Sequence, residues 1–225
     1  MDPVGFRRRT LESRNVDQGE TGEREMRSGL TGFILAGGKS RRMGREKAFL
    51  KIGSRTLIER VIENLRPCVE HVSAIGHPGN RRQLCDLPLD NVLVDYRCGQ
   101  GPLMGIYTAL MHTETAWNLF VCCDMPWVEA KLIERLLAHC TADVSVIASI
   151  LADEKVQPFP MLCHVKASRS VGTLLDRGER SVYSLLRESD ARLVRVEDPD
   201  IGRAFTNVNT QEDYAKLYCA AVLSR

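Results

Sequence analysis

Short apolar runs alternate along this chain with stretches whose apolar residues share one helical stripe, and that rhythm restricts the fold more than any other feature. Gly32-Phe33-Ile34-Leu35-Ala36 runs into Gly37-Gly38, the pattern of a buried strand followed by a loop. Val72 to Ile75, Val92 to Val94, Trp117 to Cys123 and Val144 to Ile150 repeat it. Between them, Leu57, Ile58, Val61, Ile62 and Leu65 line one helical face, with Ser54 as the expected N-cap and Pro67 just past the end. Pro102 opens a second helix expected to reach about Glu114, since proline suits a first helical turn. Leu132, Ile133, Leu136 and Leu137 mark a third helical face. Runs without polar alternation fit strands covered on both sides, and strands separated by helices need crossover connections. The expected fold class is α/β, a mainly parallel sheet flanked by helices.

After Ile150 the rhythm loosens. Pro158-Phe159-Pro160 predicts a hairpin or an edge region, because proline cannot donate to a strand ladder. Helices are expected near 167–176 and 181–188 and a strand near 192–196. A last helix is expected from Thr210, with Tyr214, Leu217, Tyr218 and Ala221 on one face. Residues 1–30 are rich in Arg and Glu and nearly free of apolar periodicity, so they are expected to be a disordered or non-native extension, with translation starting at Met26. Residues 31–225 are expected to form one domain.

Charge and composition remove several function classes. Lys plus Arg is 31 against 29 Asp plus Glu, a formal net charge of +2, which argues against a dedicated nucleic-acid binder. No run of about 18 apolar residues is present, so no membrane span is expected. The first 30 residues carry no secretory apolar core, and the eight cysteines form no C-x-x-C pair, so the expectation is buried free thiols in a reducing cytoplasm. His139 and His164 have no clustered partners and read as structural.

The segment Leu35-Ala36-Gly37-Gly38-Lys39-Ser40-Arg41-Arg42-Met43-Gly44-Arg45-Glu46-Lys47 carries the chemistry. It follows the first strand, and in an open α/β sheet ligands sit at the carboxyl ends of strands. Paired glycines let backbone N–H groups approach an anion closely. Five cations fall within residues 39–47, a charge density suited to a pyrophosphate or triphosphate. The G-x-x-x-x-G-K-[ST] spacing of a Walker loop and the G-x-G-x-x-G spacing are both absent.

This segment resembles the L-A-G-G-x-S-x-R-M-G-x-x-K signature of the MobA-like nucleotidyltransferases, and within them the bacterial molybdenum cofactor guanylyltransferases. Gly101-Pro102-Leu103-Met104-Gly105 is similar to the family's second motif, and Cys122-Cys123-Asp124-Met125-Pro126 to its metal-binding aspartate motif. Asn207-Val208-Asn209-Thr210 is similar to its C-terminal N-x-N-T motif, so the resemblance spans residues 32–223. It implies a Rossmann-like, nucleotide-diphospho-sugar-transferase-like architecture, Mg²⁺, GTP and a molybdopterin cofactor as partners, and transient contacts with cofactor-supplying and acceptor proteins. The implied reaction is attack by the terminal phosphate of molybdopterin on the α-phosphate of GTP, with pyrophosphate leaving. It also implies a nucleotide half over about 31–130 and a pterin half over about 131–225.

The resemblance assigns Leu35, Ala36, Gly37 and Gly38 to the base and ribose, Arg42 and Lys47 to the phosphates, and Asp124 to the metal. Asp95 falls on the nucleotide or metal side. Asn207, Asn209 and Arg180 fall on the pterin side. Residues 207 and 209 are two apart, so in an extended segment they share a face. Alternatives stay open at several positions: Asp124 as a helix N-cap, Asp95 as a turn former, Asn209 or Thr210 as the cap of the last helix. The chain departs from the family twice, with Glu46 where Asp usually precedes the signature lysine, and with no asparagine in register after the second strand, where the segment reads Ala74-Ile75-Gly76-His77. A CTP-dependent or other small-phosphate nucleotidyltransferase, and a non-catalytic pterin carrier, are the competing readings.

Overall fold

The computed structural model of the protein describes residues 29–37, 46–95, 97 and 99–215. The expected tail at residues 1–28, Gly38 to Arg45 of the signature loop, and Leu217, Tyr218 and Ala221 of the last helix lie outside the described residues.

Strands β1 (Leu30–Leu35), β4 (His71–Gly76), β5 (Asn91–Val94), β6 (Trp117–Cys122), β7 (Val146–Leu151), β8 (Val156–His164) and β9 (Ala191–Val196) form a seven-stranded sheet in the order β5-β4-β1-β6-β8-β7-β9. Only β8 runs against its neighbours; the β5–β4, β4–β1, β1–β6 and β7–β9 pairs are parallel. A small antiparallel hairpin, β2 (Lys51–Ile52) and β3 (Arg55–Thr56), stands apart from the sheet. Helices α1 (Leu57–Leu65), α2 (Arg81–Cys85), α3 (Pro102–Leu110) and α4 (Ala130–Leu137) follow strands in the expected alternation, and α5 (Ser168–Asp176), α6 (Val182–Glu188) and the short α7 (Pro199–Gly202) complete the second half.

The central strands are apolar on both faces because both are covered. Phe33 of β1 and Phe120 of β6 are register partners, and their buried rings stack with centroids 5.5 Å apart. Leu57, Ile58, Val61, Ile62 and Leu65 of α1 are all buried, as their stripe predicts. The expected cap is displaced by two residues. Ser54 lies in the turn of the β2–β3 hairpin, and Thr56 caps α1 instead. Its hydroxyl accepts from the Glu59 N–H at 3.3 Å while the Glu59 carboxylate accepts from the Thr56 N–H at 2.7 Å, so two orphan amides are satisfied reciprocally. Helix α3 ends at Leu110, earlier than the expected Glu114.

The proline-rich stretch lies in a hairpin, one of its two expected readings, since β7 and β8 pair antiparallel across a short turn. Pro158 and Pro160 sit inside β8, which is an interior strand flanked by β6 and β7 and so not an edge. The β7–β8 register shifts between Ile147 and Ser149, and the β6–β8 pairing stops at Met161, so the two prolines occupy the stretch where neither ladder has a paired partner for them. A missing N–H costs little there.

A second, smaller apolar group lies outside the main core. Ile52 of the hairpin, Leu57 and Val208 are fully buried against one another, with Leu50 and Tyr214 packed around them. It holds the segment 206–209 onto the hairpin.

Among the described residues no cysteine is in a disulfide. Only Cys163 is buried; Cys68, Cys122, Cys123 and Cys140 are half-buried and Cys85 is exposed, so the expectation of uniformly buried thiols holds only in part. Burial pushes the Cys163 and Cys140 thiols up to about 12, and burial with the neighbouring Asp124 charge pushes Cys122 and Cys123 up as well. His164 packs edge-on to Trp117 and accepts from the Lys166 N–H through Nδ1, a structural arrangement.

Candidate active site

Four parallel strands end on one rim. The main chain pairs on past the last strand residues: Ala36 donates to the Ile75 carbonyl at 2.8 Å, Cys123 to Leu35 at 3.2 Å and Asp95 to Gly76 at 3.1 Å. This continued pairing brings Gly37, His77, Asp95 and Asp124 to the same carboxyl edge from four different strands, where an α/β sheet offers its binding crevice.

Lys47 stands at the start of a 3-10 turn, Lys47–Phe49, that follows the signature loop. Its ammonium donates to Asp124 Oδ2 at 2.6 Å and to Asn209 Oδ1 at 2.8 Å. The Lys47 and Asp124 side chains are 14% and 16% exposed, so the pair is recessed yet open to a ligand. The Val208 N–H donates to the Asp124 carbonyl at 3.1 Å, which fastens the C-terminal motif to the aspartate loop. Val208 is buried while Asn207 and Asn209 are exposed, the alternation expected of an extended segment. Thr210 and Asp213 cap the helical turns at 211–215 reciprocally, leaving the Asn209 amide for Lys47.

The other oxygen of Asp124, Oδ1, is buried and has no hydrogen-bond partner. An orphaned anionic oxygen at a strand end is the donor a divalent cation needs. No group of three or more His, Cys, Asp and Glu side chains that could hold a metal occurs among the described residues. The arrangement therefore fits a hard cation that takes one carboxylate from the protein and completes its shell with water and substrate phosphates, as Mg²⁺ does.

Asp95 sits in a slot between two glycines. A Cβ on Gly37 would lie 3.0 Å from Asp95 Oδ2, and one on Gly105 would lie 3.5 Å from Oδ1 and 3.0 Å from Leu35 Cδ2. The second motif thus makes room for a carboxylate beside the first. Burial raises the Asp95 carboxyl to about 6, against a smaller opposing pull from His77, and its Oδ1 has no partner. Gly101, at φ +78°, caps α3 ahead of Pro102, and a Cβ there would meet the Arg180 carbonyl at 2.8 Å. Arg180 is therefore placed against the second motif, with its side chain exposed.

Of the residues expected from sequence, the structure brings Lys47, Asp124 and Asn209 into direct contact, and sets Leu35, Ala36, Gly37 and Asp95 beside one another on the rim. Arg180 and Asn207 lie exposed, and Gly38 and Arg42 lie outside the described residues. The sequence marked Glu46 and His77 only as departures from the family pattern, and it did not point to Asn80 at all. Glu46 Oε1 lies 2.9 Å from His77 Nε2, and the fully buried Asn80 donates from Nδ2 to the Ala36 carbonyl at 2.9 Å. Asn80 enters from α2's start, beyond His77-Pro78-Gly79, and so is out of step with any ungapped comparison. Gly76 was its signal, since a Cβ there would fall 2.5 Å from Asn80 Oδ1. The cluster of Trp127 with Arg203 (4.2 Å from the ring centroid) and Arg60 (5.5 Å) was also missed.

A doubly covered, mainly parallel sheet whose rim carries a lysine, two carboxylates and glycine-lined slots defines a nucleotidyltransferase. The match to known proteins makes the class specific. The chain belongs to the MobA-like NTP transferase domain family, whose model matches residues 32–195. It is 32% identical over 186 residues to a molybdenum cofactor guanylyltransferase of Vibrio parahaemolyticus, an alignment covering 82% of this chain and 92% of that protein. Its fold is shared with the molybdopterin-guanine dinucleotide biosynthesis protein A of Archaeoglobus fulgidus, with a TM-score of 0.71 at 22% identity over 86% of this chain and 99% of that one. A Mycobacterium tuberculosis protein solved in complex with manganese superposes with a TM-score of 0.64 at 18% identity, over 86% of this chain and all of that one.

Proposed function

We propose that this protein transfers GMP from GTP to the terminal phosphate of the molybdopterin cofactor, releasing pyrophosphate and leaving the guanine dinucleotide form of the cofactor. The observation that carries the reading is the Lys47–Asp124–Asn209 contact, in which all three side chains come from separate motifs and one Asp124 oxygen is left open. Support for guanine comes from the relative's name and from the glycines at 37, 101 and 105.

Both reactants are anions, so the protein must neutralise charge and align the attacking phosphate oxygen with the departing pyrophosphate. Lys47 supplies a mobile cation for the α-phosphate, where charge builds during transfer. Its pairing with Asp124 and Asn209 holds the ammonium in place before substrate arrives. Gly37 presents backbone at the rim with no side chain in the way, and Asp95 lines the same slot. Mg²⁺, held by Asp124, would supply charge neutralisation at the phosphates and at the leaving group. Asn207, Asn209 and Arg180 line the pterin side in this reading, and Arg42 the phosphates. The nucleotide half is then residues 31–130 and the pterin half 131–225, with Asn209 of the second reaching Lys47 of the first. No helix among the described residues is long and apolar enough to cross a membrane. The reading puts the enzyme in the cytoplasm, in transient contact with the proteins that deliver and accept the cofactor.

Pyrophosphate release measured with metal-loaded molybdopterin, Mg²⁺ and each of GTP, CTP, ATP and UTP tests this directly. Release with GTP alone is expected. Release with CTP would keep the reaction and overturn the base, and silence with all four would move the protein to another phosphate acceptor or to a carrier.

A further inference from the structure

Glu46, immediately ahead of Lys47, and His77, just past β4, meet in space. The two side chains face each other, with His77 Nε2 2.9 Å from Glu46 Oε1. The tautomer follows from the neighbours. His77 Nδ1 accepts from the Gly79 N–H at 3.1 Å, so the ring proton sits on Nε2 and is donated to Glu46. Both side chains are partly shielded, at 22% and 35% exposure, which makes the pair stronger than one in open solvent.

Asn80 completes the arrangement. Its Oδ1 accepts from the His77 N–H at 2.9 Å, which fixes the turn that presents the imidazole. Its Nδ2 donates to the Ala36 carbonyl at 2.9 Å and reaches Glu46 Oε2 at 3.5 Å. One segment, 77–80, therefore holds both sides of the signature loop: the Ala36 carbonyl at the end of β1, and the side-chain carboxylate of Glu46 immediately ahead of Lys47. The longer reach of glutamate over aspartate is what lets it meet a histidine standing outside the strand.

We propose that His77, Glu46 and Asn80 form a clasp that sets the separation between the Ala36–Gly37 backbone and Lys47, and so positions the two walls that hold the nucleotide. His77 is a positioning residue in this scheme: it touches no substrate and acts through Glu46. The proposal rests on the nucleotide-binding reading of this rim and adds to it a device that sets the rim's spacing.

Calorimetric titration of the full chain with Mg²⁺ and each of the four nucleoside triphosphates gives the test. For the nucleotide that the wild-type protein binds, His77→Phe and Glu46→Ala are each expected to weaken affinity about tenfold, an effect of about 1.4 kcal/mol. The double variant is expected to be no weaker than either single one, since both remove the same contact. His77→Gln, which keeps a side-chain donor, is expected to recover most of the loss, and unfolding midpoints of all the variants should stay close to that of the wild type. Affinities within twofold of wild type, or a double variant about a hundredfold weaker, would overturn the clasp while leaving the nucleotide site intact. Preference for CTP would overturn the guanine assignment alone, and a wild-type chain that binds no nucleotide would overturn both.

Discussion

The two ends of the sheet are built differently, and chemistry collects at only one of them. Over β5, β4, β1 and β6 every neighbour is parallel, and each strand delivers its last residue to one rim, giving Asp95, His77, Gly37 and Asp124 together. At β8 alone the direction reverses, the β7–β8 ladder slips, and two prolines interrupt the pairing. Those strands supply fully buried apolar side chains, Met161 and Leu162 among them. Parallel strands add up at a common edge, whereas a reversed strand sends its terminus to the opposite one. The second half reaches the reaction site through a later segment, the turn at 207–209.

That contrast can be broken by substitution. Leu162 of β8 is register partner to Leu119 on one side and Ile147 on the other, and Leu162→Ala is expected to cost about 2–5 kcal/mol of stability. Denaturant unfolding should report that loss, with nucleotide affinity of the folded fraction unchanged. Asp124→Ala should do the opposite. Turnover is expected to fall by about 10²-fold or more, because charge stabilisation of this kind supplies several kcal/mol. A loss under about threefold would show that Asp124 does not serve the reaction. Asn209→Ala removes one hold on the Lys47 ammonium and is expected to lower kcat about tenfold, a charge-assisted hydrogen bond's worth.

A smaller effect sharpens the comparison further. Burial raises the Asp95 carboxyl to about 6 from its ordinary 3.8, so the folded chain binds a proton there more tightly than the unfolded chain does. The stabilisation from that proton is complete below 3.8 and is lost as pH rises through about 6. Asp95→Asn is expected to remove this part of the pH dependence, read as a flatter unfolding midpoint for the metal-free protein between pH 4 and 7. Smallest of all, Thr56→Ala should cost about 1 kcal/mol of stability by undoing the cap of α1, with no change in turnover.

Much of this architecture could be read from residue order. Strand β1 and the stripe on α1 were visible because burial on both faces, or on one, leaves a periodicity that composition alone does not. Lys47 and Asp124 were visible because each falls in a motif of recognisable spacing. The cap of α1 was misplaced because the hairpin between Lys51 and Thr56 is too short to show a period, and Ser54 and Thr56 are equally good caps on paper. Of the two readings of Pro158 and Pro160, the hairpin holds and the edge does not, because extra residues in β8 itself, a register shift that sequence does not display, are what admit the prolines to an interior strand. Asn80 was missed, and His77 marked only as a departure, because their function depends on a turn that carries Asn80 back beneath β4, and only Gly76 hinted at the crowding there.

The small apolar group of Ile52, Leu57 and Val208 has a consequence for turnover. The segment bearing Asn207 and Asn209 is held by Val208 seated in a satellite pocket with Tyr214 packed beside it, by the Tyr214 hydroxyl donating to the Lys51 carbonyl, by the Val208 amide on the Asp124 carbonyl, and by Asn209 Oδ1 accepting from Lys47. Withdrawing a valine from such a pocket costs about 1.5–3 kcal/mol, far less than opening the sheet beneath it. In the proposed reaction, the wall that carries Asn207 and Asn209 is thus hung on a weaker latch than the wall that carries Gly37 and Asp95, which belongs to the sheet's own rim. A product that joins both substrates in one molecule has to leave past one of these walls, and the latch makes the exit one-sided.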